Sequence, residues 1–326
     1  MGVMIDGEWE PAGWPRDDSG NFRREKTSFR ESITAAGESG LPVEAGRYHL
    51  YISWACPWAS RAVIMRALKG LEAVVSLSVV DSFMGDDGWF FSGREGSTLD
   101  QVNQTKYLRE IYRLAASDYT GRVTVPVLWD KQRETIVNNE SLEIMRMFDL
   151  EFEEFAVNSG VFYPAGYEER IDSVIKEIYR PINNGVYRAG FASTQEAYEA
   201  AFKELFEALE HWEEVLDDQR YLCGSVLTEA DICMFTTLYR FDAVYHTHFK
   251  CNKKRIIDYP NLWNYLREIY QIPPVKDNCR MDHVKEHYYR SHSDINPYGI
   301  IPSGPEIDFD LPHNRARLAA AEQPVE

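Results

Sequence analysis

The chain has 326 residues, with 35 Lys and Arg against 52 Asp and Glu, a formal net charge of −17. A hydrophobic share of 44% is a folding composition, and the length suits two domains of about 100–200 residues each. The acid surplus argues against nucleic acid and anionic membrane surfaces as partners, because both require an excess of Lys and Arg.

In chain order, residues 1–46 are rich in Gly, Pro and charge and read as an irregular N-terminal extension. A β-prone stretch, 47–53, precedes a helical pattern from Pro57 to Lys69, with Val63, Ile64, Ala67 and Leu68 on one face and Gly70 as its stop. Val74–Val80 reads as a strand, 81–105 as a Gly- and Asp-rich insertion, and Tyr107–Ala116 as a short helix. Val123–Trp129 and Thr135–Val137 are short strands close enough to pair. Asn139 offers an N-cap for a helix from Glu140 to Phe148.

Beyond residue 160 the strand signals stop. Ile171, Val174, Ile175 and Ile178 mark a helix that Pro181 is expected to end. Tyr198, Ala201, Phe202, Leu205, Leu209, Trp212 and Leu216 outline a longer amphipathic helix. Thr228 caps another, with Asp231 reaching back as in a capping box. Asn261–Ile269 is one more, and a Pro- and Gly-rich tail follows. The expected fold is an α/β domain followed by an all-α domain. Its divisions are an extension (1–46), the α/β domain (47–155), the helical domain (156–290) and a tail (291–326).

The five cysteines, Cys56, Cys223, Cys233, Cys251 and Cys279, are irregularly spaced and odd in number, which fits a reducing compartment. No run approaches the ~20 apolar residues of a membrane span. Asp6, Glu8 and Glu10 interrupt the first residues, against a signal peptide. The expected location is cytoplasmic.

Cys56 carries the sharpest chemical signal. In Ser53-Trp54-Ala55-Cys56-Pro57-Trp58-Ala59 it stands at a strand-to-helix joint, with Pro57 at the first helical position. Free N–H groups and the helix dipole there favour a thiolate, the form nucleophilic sulfur chemistry needs. The plainer reading is a buried cysteine before a helix. Ala59 stands where a C-x-x-C motif has its second cysteine. A mixed disulfide at Cys56 would therefore be resolved by another molecule.

Val125-Pro126 is a candidate cis-proline pair that leaves Val125 backbone groups to bind an extended peptide; an ordinary edge-strand proline is the alternative. Glu140 and Ser141 at a helix start form a candidate carboxylate and ammonium site, with simple capping as the alternative. His246, His248 and Cys251, or Cys279, His283 and His287, lack the companion motifs of a metal centre, and no metal is expected.

Taken together, these motifs and their β-α-β-α-β-β-α order resemble the glutathione transferase family, which implies an α/β thioredoxin-like, thiol-binding domain over 47–155 and an all-α substrate domain over 156–290. Cys56-Pro57-Trp58-Ala59, Ile5-Asp6-Gly7-Glu8-Trp9, Gly88-Trp89-Phe90, His287-Tyr288-Tyr289-Arg290-Ser291-His292 and Ile295-Asn296-Pro297 resemble its Xi class, the glutathionyl-hydroquinone reductases. The resemblance implies that Cys56 attacks the sulfur of a glutathionyl-hydroquinone and that a second glutathione, as co-substrate, releases oxidised glutathione. It implies thiol binding by Val125, Glu140 and Ser141, with Trp89 and Arg122 nearer the glycyl end. It implies that Tyr187, Tyr245 and Tyr288 bind and protonate the departing quinol, Tyr289 being a close rival of Tyr288. It also implies a homodimer. A generic thiol transferase and a non-catalytic binding module are the rival readings. The native thiol is glutathione or a relative such as γ-glutamylcysteine.

Overall fold

Asp6 and Gly7 turn the chain back on itself within its first residues. Both have positive φ, 49° and 81°, as a two-residue type I′ hairpin turn requires. A side chain at Gly7 would meet the Ser117 carbonyl oxygen. In the computed structural model, which describes residues 2–319, this turn joins β1 (Gly2–Ile5) to β2 (Glu8–Pro11) in antiparallel register. The extension, expected to be irregular, thus begins with a hairpin. The Asp-Gly pair was its signal.

The next elements follow the expected order: β3 (Tyr48–Ile52), α1 (Pro57–Leu68), β4 (Ser76–Val79), α2 (Leu108–Ala115), β5 (Val127–Asp130), β6 (Thr135–Asn138) and α3 (Ser141–Leu150). The sheet order is β4-β3-β5-β6. β3 pairs parallel with β4 and antiparallel with β5, and β5 pairs antiparallel with β6. Every residue of β3 is buried, as in a strand covered on both faces. Helix α1 packs against α3 and against β3. Lys69, just past α1, is fully buried and bonds Glu153 at 2.6 Å, with Asp149 of α3 at 3.5 Å.

The helical part comprises α4 (Glu168–Ile178), α5 (Gly185–Gly190), α6 (Gln195–Asp218), α7 (Glu229–Arg240), α8 (Pro260–Tyr270), α9 (Pro273–Lys276) and α10 (Met281–Ser291). Pro181 does not end the helical path as expected. The chain widens into a π-turn over Tyr179–Asn183, closed by the Asn184 N–H on the Tyr179 carbonyl at 2.8 Å, and runs into α5. A proline lacks the N–H and crowds an α-helical ladder, and the wide turn accommodates both. Asn183 fixes the bend by donating to the Cys233 carbonyl and to Thr237, each at 2.9 Å.

Two compact units emerge. The first comprises residues up to Trp14, Glu25–Ser159 and Asn278–Ile301, and so contains the sheet, α1–α3 and α10. The second comprises Pro15–Arg24, Gly160–Asp277 and the chain from Pro302 onward, with α4–α9. The extension and the C-terminal segment are therefore each shared between the units. The last residues of the 291–326 tail, 320–326, lie outside the described residues.

Within the second unit, Asp231 does what its position predicts. Its buried carboxylate accepts the Thr228 N–H at 2.8 Å and the Thr228 hydroxyl at 2.9 Å. It also accepts the Leu222 N–H and the Tyr265 hydroxyl, at 2.8 and 2.9 Å. The tail is strapped on by arginines: Arg315, fully buried, donates to the Leu216 and Arg220 carbonyls at the end of α6. Such carbonyls have no intrahelical donor, so a buried guanidinium suits them.

Candidate functional site

The turn after β3 delivers Cys56 to the N-cap of α1, with extended backbone (φ −78°, ψ 119°) and Pro57 in the first turn. The Cys56 side chain makes no capping bond of its own to the helix. Its Sγ lies 3.5 Å from the carbonyl oxygen of Val125 and is half-buried. Ala59, one turn on, is fully buried. All five cysteines are unbridged: Cys223, Cys233 and Cys251 are buried, Cys279 half-buried. Burial pushes the Cys223 thiol up to about 11 and raises that of Cys251 as well, so both remain neutral thiols.

The Val125–Pro126 peptide bond is cis. The expected strand from Val123 starts only at Val127, because Pro126 has no N–H to give a ladder. The Val125 N–H has no hydrogen-bond partner among the described residues, although Val125 is only 5% exposed. A donor so placed can pair with an extended peptide backbone.

A relay ties this loop to the start of α3. The Tyr112 hydroxyl donates to the Thr124 carbonyl at 2.8 Å and accepts from Asn139 Nδ2 at 3.1 Å. Burial raises the Tyr112 pKa, which keeps that hydroxyl a donor. Asn139 Oδ1 in turn accepts the Phe29 N–H at 3.2 Å. Asn139 is thus committed elsewhere, and the N-cap of α3 is Glu140 rather than Asn139. The helix begins at Ser141, one residue later than expected. Glu140 accepts from the Leu142 N–H at 3.5 Å, from Ser141 Oγ at 3.4 Å and from Thr27 Oγ1 at 3.3 Å. Tyr112 and Thr27 were not foreseen as site-building residues, and no sequence motif marks them; Asn139 was expected at this helix start, but as its cap.

Arg122 is half-buried and already engaged. It donates to the Gly2 carbonyl at 3.2 Å and to the Gly13 carbonyl at 2.8 Å, bracketing the hairpin. Its buried Nε has no partner among the described residues. Burial lowers its pKa from the usual arginine value.

Trp89 is 7% exposed, and its ring stacks on His287 of α10, with centroids 4.7 Å apart and planes 22° from parallel. Its carbonyl accepts the Leu108 N–H at the start of α2, at 2.9 Å. The indole N–H has no protein acceptor among the described residues. Tyr288, 2% exposed, meets His287 and His292 edge-on. Its rival Tyr289 is buried too.

Tyr187 and Tyr245 belong to the second unit, and the fold brings them together with their hydroxyls 3.5 Å apart. Tyr187 lies on α5 and Tyr245 ends the π-turn after α7. Phe191 and Phe249 pack beside Tyr187, and Arg24 lies over its ring at 5.0 Å. Among the described residues no group of His, Cys, Asp and Glu is arranged to hold a metal ion. No helix among them is long and apolar enough to cross a membrane.

Residues 55–151 match the family model of the glutathione S-transferase N-terminal domain, and residues 195–268 that of the C-terminal domain. The chain is 49% identical to glutathionyl-hydroquinone reductase YqjG of Escherichia coli (strain K12), over 97% of this chain and 98% of the relative. It is 47% identical to glutathionyl-hydroquinone reductase PcpF of Sphingobium chlorophenolicum, over 94% and 96% of the two chains. Its fold is similar to that of the Xi-class glutathione transferase from Natrialba magadii, with a TM-score of 0.94, 54% identity and 98% of each chain covered. It is also similar to the glutathione-bound structure of YqjG, with a TM-score of 0.90, 48% identity and 97% and 99% covered. A thioredoxin-like first domain, an all-helical second one and near-full-length identity to these relatives lead to one assignment: the chain belongs to the Xi-class glutathione transferases, the glutathionyl-hydroquinone reductase family.

Proposed function

We propose that this protein is a glutathione-dependent reductase that removes glutathione from glutathionyl-hydroquinones. The observation that carries this reading is a lone half-buried cysteine at the N-cap of α1, beside the Val125 carbonyl, with alanine where a second cysteine would stand. Relatives named for this activity match nearly the whole chain.

The chemistry balances in two steps. The Cys56 thiolate attacks the glutathionyl sulfur of the substrate. A sulfur–sulfur bond forms, the carbon–sulfur bond breaks, and the quinol carbon leaves with the electron pair and takes up a proton. A second glutathione thiolate then attacks the glutathionyl sulfur of the mixed disulfide. Oxidised glutathione departs and Cys56 returns as thiolate. One substrate and one thiol thus give one hydroquinone and one disulfide. A thiolate has no proton to donate, so ionisation gives up the thiol contact to Val125. The first turn of α1 then offers N–H groups to the sulfur.

In this reading the Val125 N–H pairs with the peptide backbone of glutathione. Glu140 receives its ammonium group, and Ser141 and the α3 N-terminus receive its γ-glutamyl carboxylate. Trp89 and Arg122 serve the glycyl end. Arg122 already spends two N–H groups on Gly2 and Gly13, which leaves Trp89 the freer donor of the pair. Tyr187, Tyr245 and Tyr288 hold the quinol oxygens by hydrogen bonds and supply the one proton that the departing quinol carbon takes up, a task for neutral phenols. The proposed division of labour assigns thiol binding to residues 47–155 and the quinol site to residues 156–290, although Tyr288, on α10, belongs to the first compact unit. We further propose a cytoplasmic homodimer, a reading supported by five unbridged thiols and by the family resemblance.

The test is turnover of glutathionyl-menadiol with glutathione, beside turnover of a glutathione mixed disulfide. Strong preference for the quinol conjugate is expected. Equal or greater activity on the mixed disulfide would favour a general thiol transferase. Absence of a glutathione adduct on Cys56 after incubation with oxidised glutathione would favour a binding module.

A further inference from the structure

Trp89 and His287 are 198 positions apart in sequence, yet their rings stack at 4.7 Å and 22°. Neither ring is free to turn. The Trp89 backbone is tied to α2 through Leu108 at 2.9 Å. His287 Nδ1 lies 3.0 Å from the Ser82 carbonyl. A carbonyl only accepts, so Nδ1 carries the proton in that bond. Ser82 Oγ donates to Glu286 at 2.6 Å, and the Met84 N–H donates to Ser291 Oγ at 2.9 Å. Three successive contact points on α10, at Glu286, His287 and Ser291, therefore grip the loop that carries Trp89. The gripped indole keeps its N–H without a protein acceptor among the described residues. That is the arrangement of a donor held for a ligand.

We propose that His287 is a positioning residue for thiol binding: by stacking on Trp89 and anchoring to the Ser82 carbonyl it sets the plane of the indole, and with it the direction of the N–H offered to the thiol. This rests on the reading of Trp89 as a thiol contact. The physical reason for a ring here is geometric. A face-to-face contact restrains rotation about the last side-chain torsion of tryptophan, which is otherwise broad. The effect falls on thiol binding, because His287 itself need not touch the reacting atoms.

The experiment compares His287→Asn, His287→Phe and Trp89→Phe with the parent enzyme. Asparagine keeps a donor toward Ser82 and loses the stack; phenylalanine keeps the stack and loses the donor. The expected result for His287→Asn is a five- to tenfold rise in KM for glutathione with kcat within twofold, and for His287→Phe a smaller rise. The emission difference between parent and Trp89→Phe isolates the Trp89 signal. In His287→Asn that component is expected to move to longer wavelength, and its glutathione titration midpoint to shift with KM. A His287→Asn enzyme that loses melting temperature but keeps its glutathione KM within twofold, while Trp89→Phe raises KM, overturns the proposal and leaves the Trp89 reading standing. An unchanged KM in Trp89→Phe overturns both. The Cys56–glutathione adduct, measured by mass in every variant, reports separately on the chemistry at Cys56.

Discussion

The Cys56 sulfur sits 3.5 Å from the Val125 carbonyl oxygen. These residues are 69 positions apart, one at a helix start and the other beside a proline before β5. Their proximity joins the nucleophile to a backbone whose N–H is unoccupied among the described residues. A peptide thiol paired with that N–H would present its sulfur near Cys56.

Replacing Cys56 by alanine should abolish turnover of glutathionyl-menadiol, by about a thousandfold or more, since no other thiol stands one turn on. Cys56 is half-buried and caps no N–H with its side chain. Stability should therefore stay within about 1 kcal/mol of the parent. Steady-state kinetics and urea denaturation check the two halves. Cys56→Ser should be as inactive, because an alkoxide is out of reach at neutral pH.

Tyr187→Phe and Tyr245→Phe remove hydroxyls that face each other at 3.5 Å while keeping the rings. Each should lower kcat on the quinol conjugate by about 10²-fold, the low end of general-acid contributions. The glutathione KM should hold. Reduction of a mixed disulfide, whose leaving thiolate needs no phenol, should be spared.

Asp231 supplies a pH-dependent stability test. Burial pushes its carboxyl up to about 6, against an ordinary value of 3.8. The native state therefore takes up the proton more readily than the unfolded chain. The associated stability is fully present below about pH 4 and is lost as pH rises toward 6. The stability of the parent relative to Asp231→Asn, which cannot titrate, should therefore improve by about 2 kcal/mol between pH 7 and pH 4. Urea denaturation of both proteins at the two pH values measures it. Asp231→Ala should be worse at either pH, by about 3 kcal/mol, because it strands the donors of Leu222, Thr228 and Tyr265.

Arg122→Met should loosen the N-terminal hairpin. It removes the bonds to the Gly2 and Gly13 carbonyls, and Met4 and Gly121 next to it exchange backbone bonds at 2.9 Å. Hydrogen exchange at the Met4 and Gly121 amides should accelerate about tenfold, a local loss near 1.4 kcal/mol.

Local signals were enough to read much of this protein from its residues. The strand–helix joint at Cys56-Pro57, the capping pair Thr228 and Asp231, and the alternation of strand and helix are short-range patterns. Each depends on neighbours within a few positions. The Asp6-Gly7 turn is a short-range signal of the same kind, but it was missed, and the extension that holds it was expected to be irregular. Tertiary structure decided what depends on distant partners. Asn139 reads as a cap for α3, but Phe29 and Tyr112 claim its side chain, so Glu140 takes the end of the helix. Pro181 reads as a helix stop, but Asn183 bonds to α7 and holds the wider turn in place. Arg122 is expected to meet the glycyl carboxylate of the thiol, but two carbonyls of the hairpin already engage it. In each case a buried polar group had to find a partner, and only the folded chain determines which partner is within reach.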